Sequence, residues 1–480
     1  MSCRHTLNLT LRSLLSLAII AMMVSAAYAQ PPTLLWKDDT VSVTDIAVSK
    51  NGQYVVAATT GPRSEVRFYD RAASTDPKTP VWSSGGDPGV VIYAVAISAD
   101  GDSVAVAFHF EPGTNPPGVP IYGVAYWNKA TTLTDNPSPT WVSTELGGPA
   151  CARCLDMSDD GNYVVVGLDT MGEPSVFGID FWTGAKGLNT FPEGQKPTAW
   201  GATGAVFTSV DMSGDGNYVA VGVLIQNNGL NGLVAYLKNT RTLTGLIENA
   251  NWISPVDGRV NDVAISDDGN YVAAATAGLP ATVYYWAGAG SRGLNEAPGE
   301  TPTWEGEMGV SFTSVDMSCD GNSVIAGAFG GVYFWGEARG LTGTPPPSWT
   351  YPTESTVSDV AINDAGTYMA AANDVTAHYA YFFDSSGALK WPEAYPLDNL
   401  VSSISISCDG GTLAVGTGGG GSGTAYLFDT GFSTPCCGRE PVGGVVMPMN
   451  TIAVFGPWLV AIGLSGCIAV VAVVVKRPRS

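Results

Sequence analysis

One short phrase, repeated eight times, limits what this chain can fold into more than any other feature. A run of small apolar residues leads into Ser-x-Asp-Gly, and a second apolar run leads out. The copies end at Gly52, Gly101, Gly161, Gly216, Gly269, Gly321, Gly366 and Gly410, so the unit is about 50 residues long. The first and seventh copies drift, to Ser49-Lys50-Asn51-Gly52 and Asn363-Asp364-Ala365-Gly366. Asp-Gly or Asn-Gly between alternating apolar runs signals a hairpin, because glycine accepts the positive φ such a turn demands. Two more strand patterns complete each unit. A third run ends in aromatics, as in Phe68-Tyr69-Asp70, Tyr126-Trp127 and Phe334-Trp335. A fourth carries a tryptophan: Trp82, Trp141, Trp200, Trp252, Trp304, Trp349 and Trp391. Four strands per unit of this length is the arithmetic of a propeller blade.

The tryptophans also predict how the ring closes. The eighth unit ends at Asp429 without a fourth strand, whereas Leu34-Leu35-Trp36 is a fourth strand with no unit before it. A circle reconciles the two. The expected fold is an all-β, eight-bladed β-propeller of four-stranded antiparallel blades over residues 30–430, closed by the N-terminal strand so that no sheet edge stays open. With 59 Gly, 31 Pro and only 14% charged residues, the composition suits many short strands joined by turns.

Units such as Val43–Ala58 followed by Val66-Arg67-Phe68-Tyr69-Asp70 resemble WD40 repeats. The segment Ala380–Trp391, with Asp384, Gly387 and Trp391 in sequence, is similar to the blade ending of quinoprotein (PQQ)-like propellers. The resemblance covers residues 33–430. It implies a propeller and, among many activities, either an interaction module or a quinoprotein-like oxidoreductase.

The two ends read as addresses. Arg4 and Arg12 precede the apolar run Leu14–Val24, and Ala27-Tyr28-Ala29 supplies a small-residue cleavage site. Residues 1–29 are therefore expected to be a signal peptide, with an uncleaved anchor as the alternative. Ile452–Val475 contains no charge and is followed by Lys476-Arg477-Pro478-Arg479-Ser480. Residues 451–475 are expected to form a transmembrane helix, with 476–480 a basic cytoplasmic tail and 431–450 a stalk. The expected location is the cell membrane, single-pass, with the propeller extracellular or periplasmic. A formal charge of −21, with all acids between the ends, opposes nucleic-acid binding. Three histidines leave little for histidine-based catalysis or metal binding.

Candidate site residues lie in the first strand of each unit. Two positions, two residues apart, face the same side: Asp45/Ala47, Ala94/Ala96, Cys154/Asp156, Ser209/Asp211, Asp262/Ala264, Ser314/Asp316, Asp359/Ala361 and Ser403/Ser405. Six units carry one Asp and none carries two. The spacing implies a shared task for Asp45, Asp156, Asp211, Asp262, Asp316 and Asp359, since a buried carboxylate must be hydrogen-bonded. One task is to accept backbone N–H bonds that tie neighbouring blades; the alternative is a cation site in the channel. Asp156–Gly161, Asp211–Gly216 and Asp316–Gly321 mimic half of an EF-hand loop, but its twelfth position is Gly167, Gly222 or Gly327 instead of glutamate. No cofactor is predicted, Ca²⁺ and PQQ being the ones weighed.

Among the cysteines, Cys151-x-x-Cys154 lies in an extended strand whose alternation sends the two side chains to opposite faces, and its role stays open. Cys319 and Cys408 occupy the Ser-x-Asp-Gly turn. The chain leaves the last unit on that face and reaches Cys436-Cys437, which predicts a disulfide from Cys408 to Cys436 or Cys437. The turn face would then look toward the membrane, and the loops 109–121 and 224–231 outward. The function expected is binding of a protein, glycan or envelope component. The alternative is an extracellular enzyme using channel carboxylates.

Overall fold

In a computed structural model, the chain is described over residues 31–437, apart from 62, 73–77, 87–88, 111–120, 145–149, 171–177, 189–197, 202–204, 226–230, 244–245, 248–249, 279–280, 293–300, 375–377 and 420. The fold is an all-β propeller, and every repeat follows one plan. In repeat two, Val90–Ile97, Ser103–Phe110, Ile121–Asn128 and Trp141–Ser143 pair as successive antiparallel neighbours.

The turn between the first and second strands explains the repeated motif. The Ser98 hydroxyl donates to Asp100 Oδ1 (2.6 Å) and accepts the Ser103 N–H (2.9 Å), while Asp100 Oδ1 also accepts the Asp102 N–H (3.0 Å). The same set recurs at Ser158, Ser213, Ser266, Ser318 and Ser407. All eight motif glycines have φ between +65° and +81°, a region costly for any residue with a Cβ.

Two sequence expectations need correction. The strands gather into seven hydrogen-bonded sheets, not eight. Trp349–Ile362 is one continuous strand: its first part pairs with the third strand of repeat six, and its second part with Tyr368–Asn373 of repeat seven. Ser323–Gly336 likewise runs as one strand through the second and third positions of repeat six, so six strands share one sheet. The reason lies in the link. Three other fourth strands leave through a glycine with positive φ, Gly85, Gly258 and Gly309, and two turn without one, whereas Thr353-Glu354-Ser355-Thr356 contains no glycine and stays extended. Trp391, expected within a fourth strand, lies ahead of a two-residue strand, Tyr395–Pro396, although its ring is buried. The expected membrane helix is a separate matter. Among the described residues no helix is long and apolar enough to cross one. The expected spanning segment 451–475, the leader 1–29 and the tail 476–480 lie outside the described residues, as does the stalk beyond Cys437.

The ring closes between the two ends of the chain. Thr33–Asp38 pairs antiparallel with Ser422–Asp429, completing the sheet of repeat eight. Trp36 is 2% exposed and stacks on Tyr69 of repeat one, ring centroids 4.8 Å apart. Behind it, the fully buried Asp38 accepts from the Tyr69 hydroxyl (2.8 Å) and from Arg67 Nη1 (2.9 Å), so the closing strand is held to both neighbours.

Other tryptophans bind the next repeat along. The indole N–H of Trp82, Trp141, Trp252 and Trp304 donates to the carbonyl of Ala130, Ala185, Ala289 and Ala338, each opening a short 3₁₀ turn after a third strand. Each of those turns follows a residue with positive φ, such as Lys129 or Glu337. The loops with Lys186, Arg241 and Arg339 belong here, and Arg241 and Arg339 lie over the rings of Tyr163 and Tyr271 in the preceding repeat.

Trp36→Ala should therefore lower unfolding free energy by about 3–5 kcal/mol, the usual cost of emptying a buried aromatic site. Urea titration of the two proteins measures it; an unchanged midpoint would mean that the N-terminal strand does not hold the ring shut.

Candidate functional site: the central channel and its turn-side mouth

Seven of the eight first strands are an edge of their sheet, and the eighth, Val357–Ile362, pairs with Tyr368–Asn373 alone, so N–H groups on the other side have no ladder partner. Every one of the eight carries a register shift of one residue, at Val43/Asp45, Ile92/Ala94, Ala152/Cys154, Phe207/Ser209, Val260/Asp262, Phe312/Ser314, Val357/Asp359 and Val401/Ser403. Such a bulge re-aims the residue that follows it. The sequence held a signal for it in the short polar residue that follows an apolar one and breaks the alternation, as in Val43-Thr44-Asp45 and Phe312-Thr313-Ser314. Thr44 and Thr313 use their hydroxyls to donate to Ile92 and Val357 carbonyls of the next repeat (3.0 and 2.5 Å).

The six aspartates then obey one rule. An Asp at either facing position accepts the N–H of the residue one past the matching position in the next repeat. Asp45 takes Val95 (2.8 Å), Asp262 takes Val315 (3.0 Å) and Asp359 takes Ile404 (2.9 Å). Asp156 takes Met212 (2.8 Å), Asp211 takes Ile265 (2.7 Å) and Asp316 takes Ile362 (2.8 Å). The second oxygen accepts the N–H of the Asp's own successor at Ile46, Met212, Val263, Met317 and Val360. Across the closure Ser405 plays the same part for Val48 (3.1 Å). One carboxylate thus satisfies two inner-edge donors on adjacent strands. Asp156, Asp211 and Asp316 also border a cavity of about 240 Å³ in the channel.

These side chains keep a sliver of surface on the channel but sit deep within the body, and burial raises their pKa values. Asp156 is pushed to about 6 and Asp316 and Asp359 to about 7, against the lowering effect of the N–H bonds they accept. Asp45 and Asp262 are raised for the same reason. Asp211 rises well above the carboxylate range, through burial and then the charge of Asp156, with which it shares a hydrogen bond. The pair holds a proton between them.

At the turn side the channel is stoppered. Lys50, from the first turn, reaches across to Asp159 Oδ1 (2.9 Å) and Asp267 Oδ1 (3.0 Å), in the third and fifth turns. Burial draws its ammonium down, but Asp267, Asp159 and Asp364 outweigh that and hold it charged. Burial raises Asp364 to about 6, with Lys50 opposing. Around this plug the turns are linked through their backbones: Asn51 to Ala99, Ala99 to Asp159, Asp159 to Gly214, Asp267 to Cys319, Cys319 to Asp364, Asp364 to Cys408 and Cys408 to Lys50, each N–H to carbonyl at 2.9–3.2 Å.

The exit segment crosses this mouth. Cys408 is disulfide-bonded to Cys436, and Cys319 to Cys437, with Cα atoms 5.2 and 6.4 Å apart. Sequence reasoning left Cys436 and Cys437 open as partners for Cys408 and gave Cys319 none. Residues 431–437, assigned to the stalk, are thus fastened to the turn face, with Phe432 packed on Tyr368 and Phe382 and beneath the Lys390 ammonium. The vicinal cysteines bond to different turns and not to each other. Asp364, Cys408 and Cys436 present ligand-type atoms within 4.8 Å of one another, but both sulfurs are in a disulfide. Cys154 sits at a facing position, packed with the cluster around Val165 and Phe207. The Cys151 side chain and the loops expected to face outward, near 111–120 and 226–230, lie outside the described residues.

No family model and no curated protein matches the chain. Among solved structures, the C-terminal WD40 domain of Sif2 is similar, with a TM-score of 0.52 and 13% identity, over 85% of this chain and 100% of that one. The fold is WD40-like.

Carboxyls that titrate near 4 when unfolded and near 6–7 in the channel, Asp316 and Asp359 foremost, bind protons more tightly in the folded state. Their stabilisation is complete below the unfolded value and is lost as pH rises through the folded one. The melting temperature should fall by several degrees between about pH 5 and about pH 8, and Asp316→Asn should flatten the slope. Added Ca²⁺ should leave it unchanged, and a metal-dependent rise abolished by Asp211→Asn would assign the carboxylates to a cation instead.

Proposed function

We propose that this protein is a binding module displayed outside the cell, held at the membrane by its apolar C-terminal segment, with a protein, glycan or envelope component as its partner. The occupied turn face carries this reading. Lys50 closes the channel mouth, residues 431–437 are fastened across it, and the carboxylates an enzyme would need each bind two backbone N–H groups. WD40-type propellers typically serve protein interaction, which fits the same reading.

The opposite face offers surface for contact. Phe329, beside Gly330 in the middle of strand Ser323–Gly336, is 67% exposed, and Leu400, entering repeat eight, is 43% exposed. Both are remote in the chain from the Ser-x-Asp-Gly turns of their repeats, at Gly321 and Gly410. Two disulfides and an apparent leader sequence favour an oxidising compartment.

A photo-cross-linking residue at Phe329 or at exposed Asp268 on the turn face, in cells producing the full chain, tests the assignment. Adducts should form from Phe329 and not from Asp268, and an impermeant protease should reach the propeller on intact cells. Adducts from Asp268 alone would overturn the face, and full protection would overturn the location.

A further inference from the structure

We propose that the two disulfides are a force-bearing anchor, which delivers tension from the C-terminal segment to the ring of turns instead of the closing sheet. The inference rests on reading residues 438–480 as the tether.

Without the disulfides, tension would meet the bonds of Thr434 to Asp409 and Thr430 to Gly411 and then the last strand. The last strand of the propeller, Ser422–Asp429, is the neighbour of Thr33–Asp38, and the pair nearest the exit is Thr33↔Asp429. A pull on Asp429 would open Thr33↔Asp429 with Thr412↔Asp429, then Leu34↔Phe428 with Leu413↔Phe428, pair by pair on the strand's two sides. Unzipping of this kind loads only the few hydrogen bonds at the end of the strand at a time. It would also dismantle the one sheet that joins the two ends of the chain.

The disulfides move the load elsewhere. Tension arriving at Cys437 passes to Cys319, and tension at Cys436 to Cys408, so residues 422–435 are spared. Cys319 and Cys408 flank the seventh turn, and both belong to the backbone ring. Cys319 donates to Asp364 and accepts from Asp267; Cys408 donates to Lys50 and accepts from Asp364. The load therefore spreads across four ring bonds on both sides of each attachment. Stapling the exit segment would need only the Cys408–Cys436 bond, which spans 28 residues. The bond to Cys319, 118 residues away, instead ties the exit to a second repeat, and adjacent cysteines that diverge to two turns make a yoke.

Optical tweezers on the full chain in detergent, with handles after Ser480 and at exposed Thr134 in repeat two, read the load path directly. The oxidised protein should show no early step before the body ruptures. The Cys319→Ser, Cys408→Ser double variant should peel residues 422–437 first, adding about 5 nm of contour at no more than half the force. Cys319→Ser alone should lack the early step yet rupture below the wild-type force. If the double variant does not fold, dithiothreitol added to the held wild-type protein makes the same comparison. An unchanged first rupture after loss of both disulfides would overturn the anchor, and a wild-type rupture force in Cys319→Ser would overturn the sharing of load. These outcomes do not depend on where the protein resides, which the protease experiment on intact cells decides separately.

Discussion

A closed ring of sheets faces its innermost strands into a channel too narrow to solvate them freely, and each of those strands exposes N–H groups with no ladder partner. The rest of the structure depends on how these donors are met. A carboxylate is an acceptor with two oxygens, so a single Asp placed between adjacent first strands can take one N–H from each. Asp316 does so with Met317 and Ile362, and Asp211 with Met212 and Ile265. The geometry also explains why no repeat carries two. A second carboxylate on the same strand would add charge to a region where burial already pushes Asp316 and Asp359 to about 7.

Further from the axis, the same neighbours are tied by other chemistry. The Tyr126, Tyr236 and Tyr285 hydroxyls donate to the carbonyls of Gly161, Gly269 and Gly321 in the turn of the next repeat, at 2.6–2.7 Å. Beyond them, the tryptophan N–H groups reach the 3₁₀ turns. Tyrosine and tryptophan suit this place because each couples a large apolar body to one polar tip, which fills the wedge between sheets and still finds a partner. The turn glycines answer to the same packing. A Cβ on Gly321 would fall about 2.5 Å from the Tyr271 ring of the preceding repeat, besides straining its own φ.

Much of this was legible in the sequence because it is local and repeated. The Ser-x-Asp-Gly turn, the aromatic third strand and the orphan strand around Trp36 each occupy a few adjacent residues, and their recurrence announces the propeller. The sheet count was not legible in the same way. It depends on Thr353–Thr356 staying extended where the other described links turn, and four residues of one linker are a weak signal beside eight present motifs. The bulges were visible only as an interrupted alternation. The pairing of Asp211 with Asp156 needs the ring assembled, because the two residues come from neighbouring repeats.

The least legible part is the stopper, and its logic becomes plain once the turns form a circle. The second residue of each turn points toward the axis, and around the ring these residues alternate: Lys50, Ala99, Asp159, Gly214, Asp267, Cys319, Asp364, Cys408. Charged residues hold the odd turns and small or sulfur-bearing ones the even turns. Three aspartates converging on one axis would repel one another, and the Lys50 ammonium between them relieves that cost. Its turn is the one that drifts to Asn51, which keeps the hydroxyl-acceptor geometry with Ser49 (2.6 Å) without adding another acid beside the plug. The even turns leave room at Ala99 and Gly214, and on the other side supply Cys319 and Cys408 to the exit segment. Charge closes the mouth from one set of turns and covalent bonds cover it from the other, and neither set reaches the opposite face.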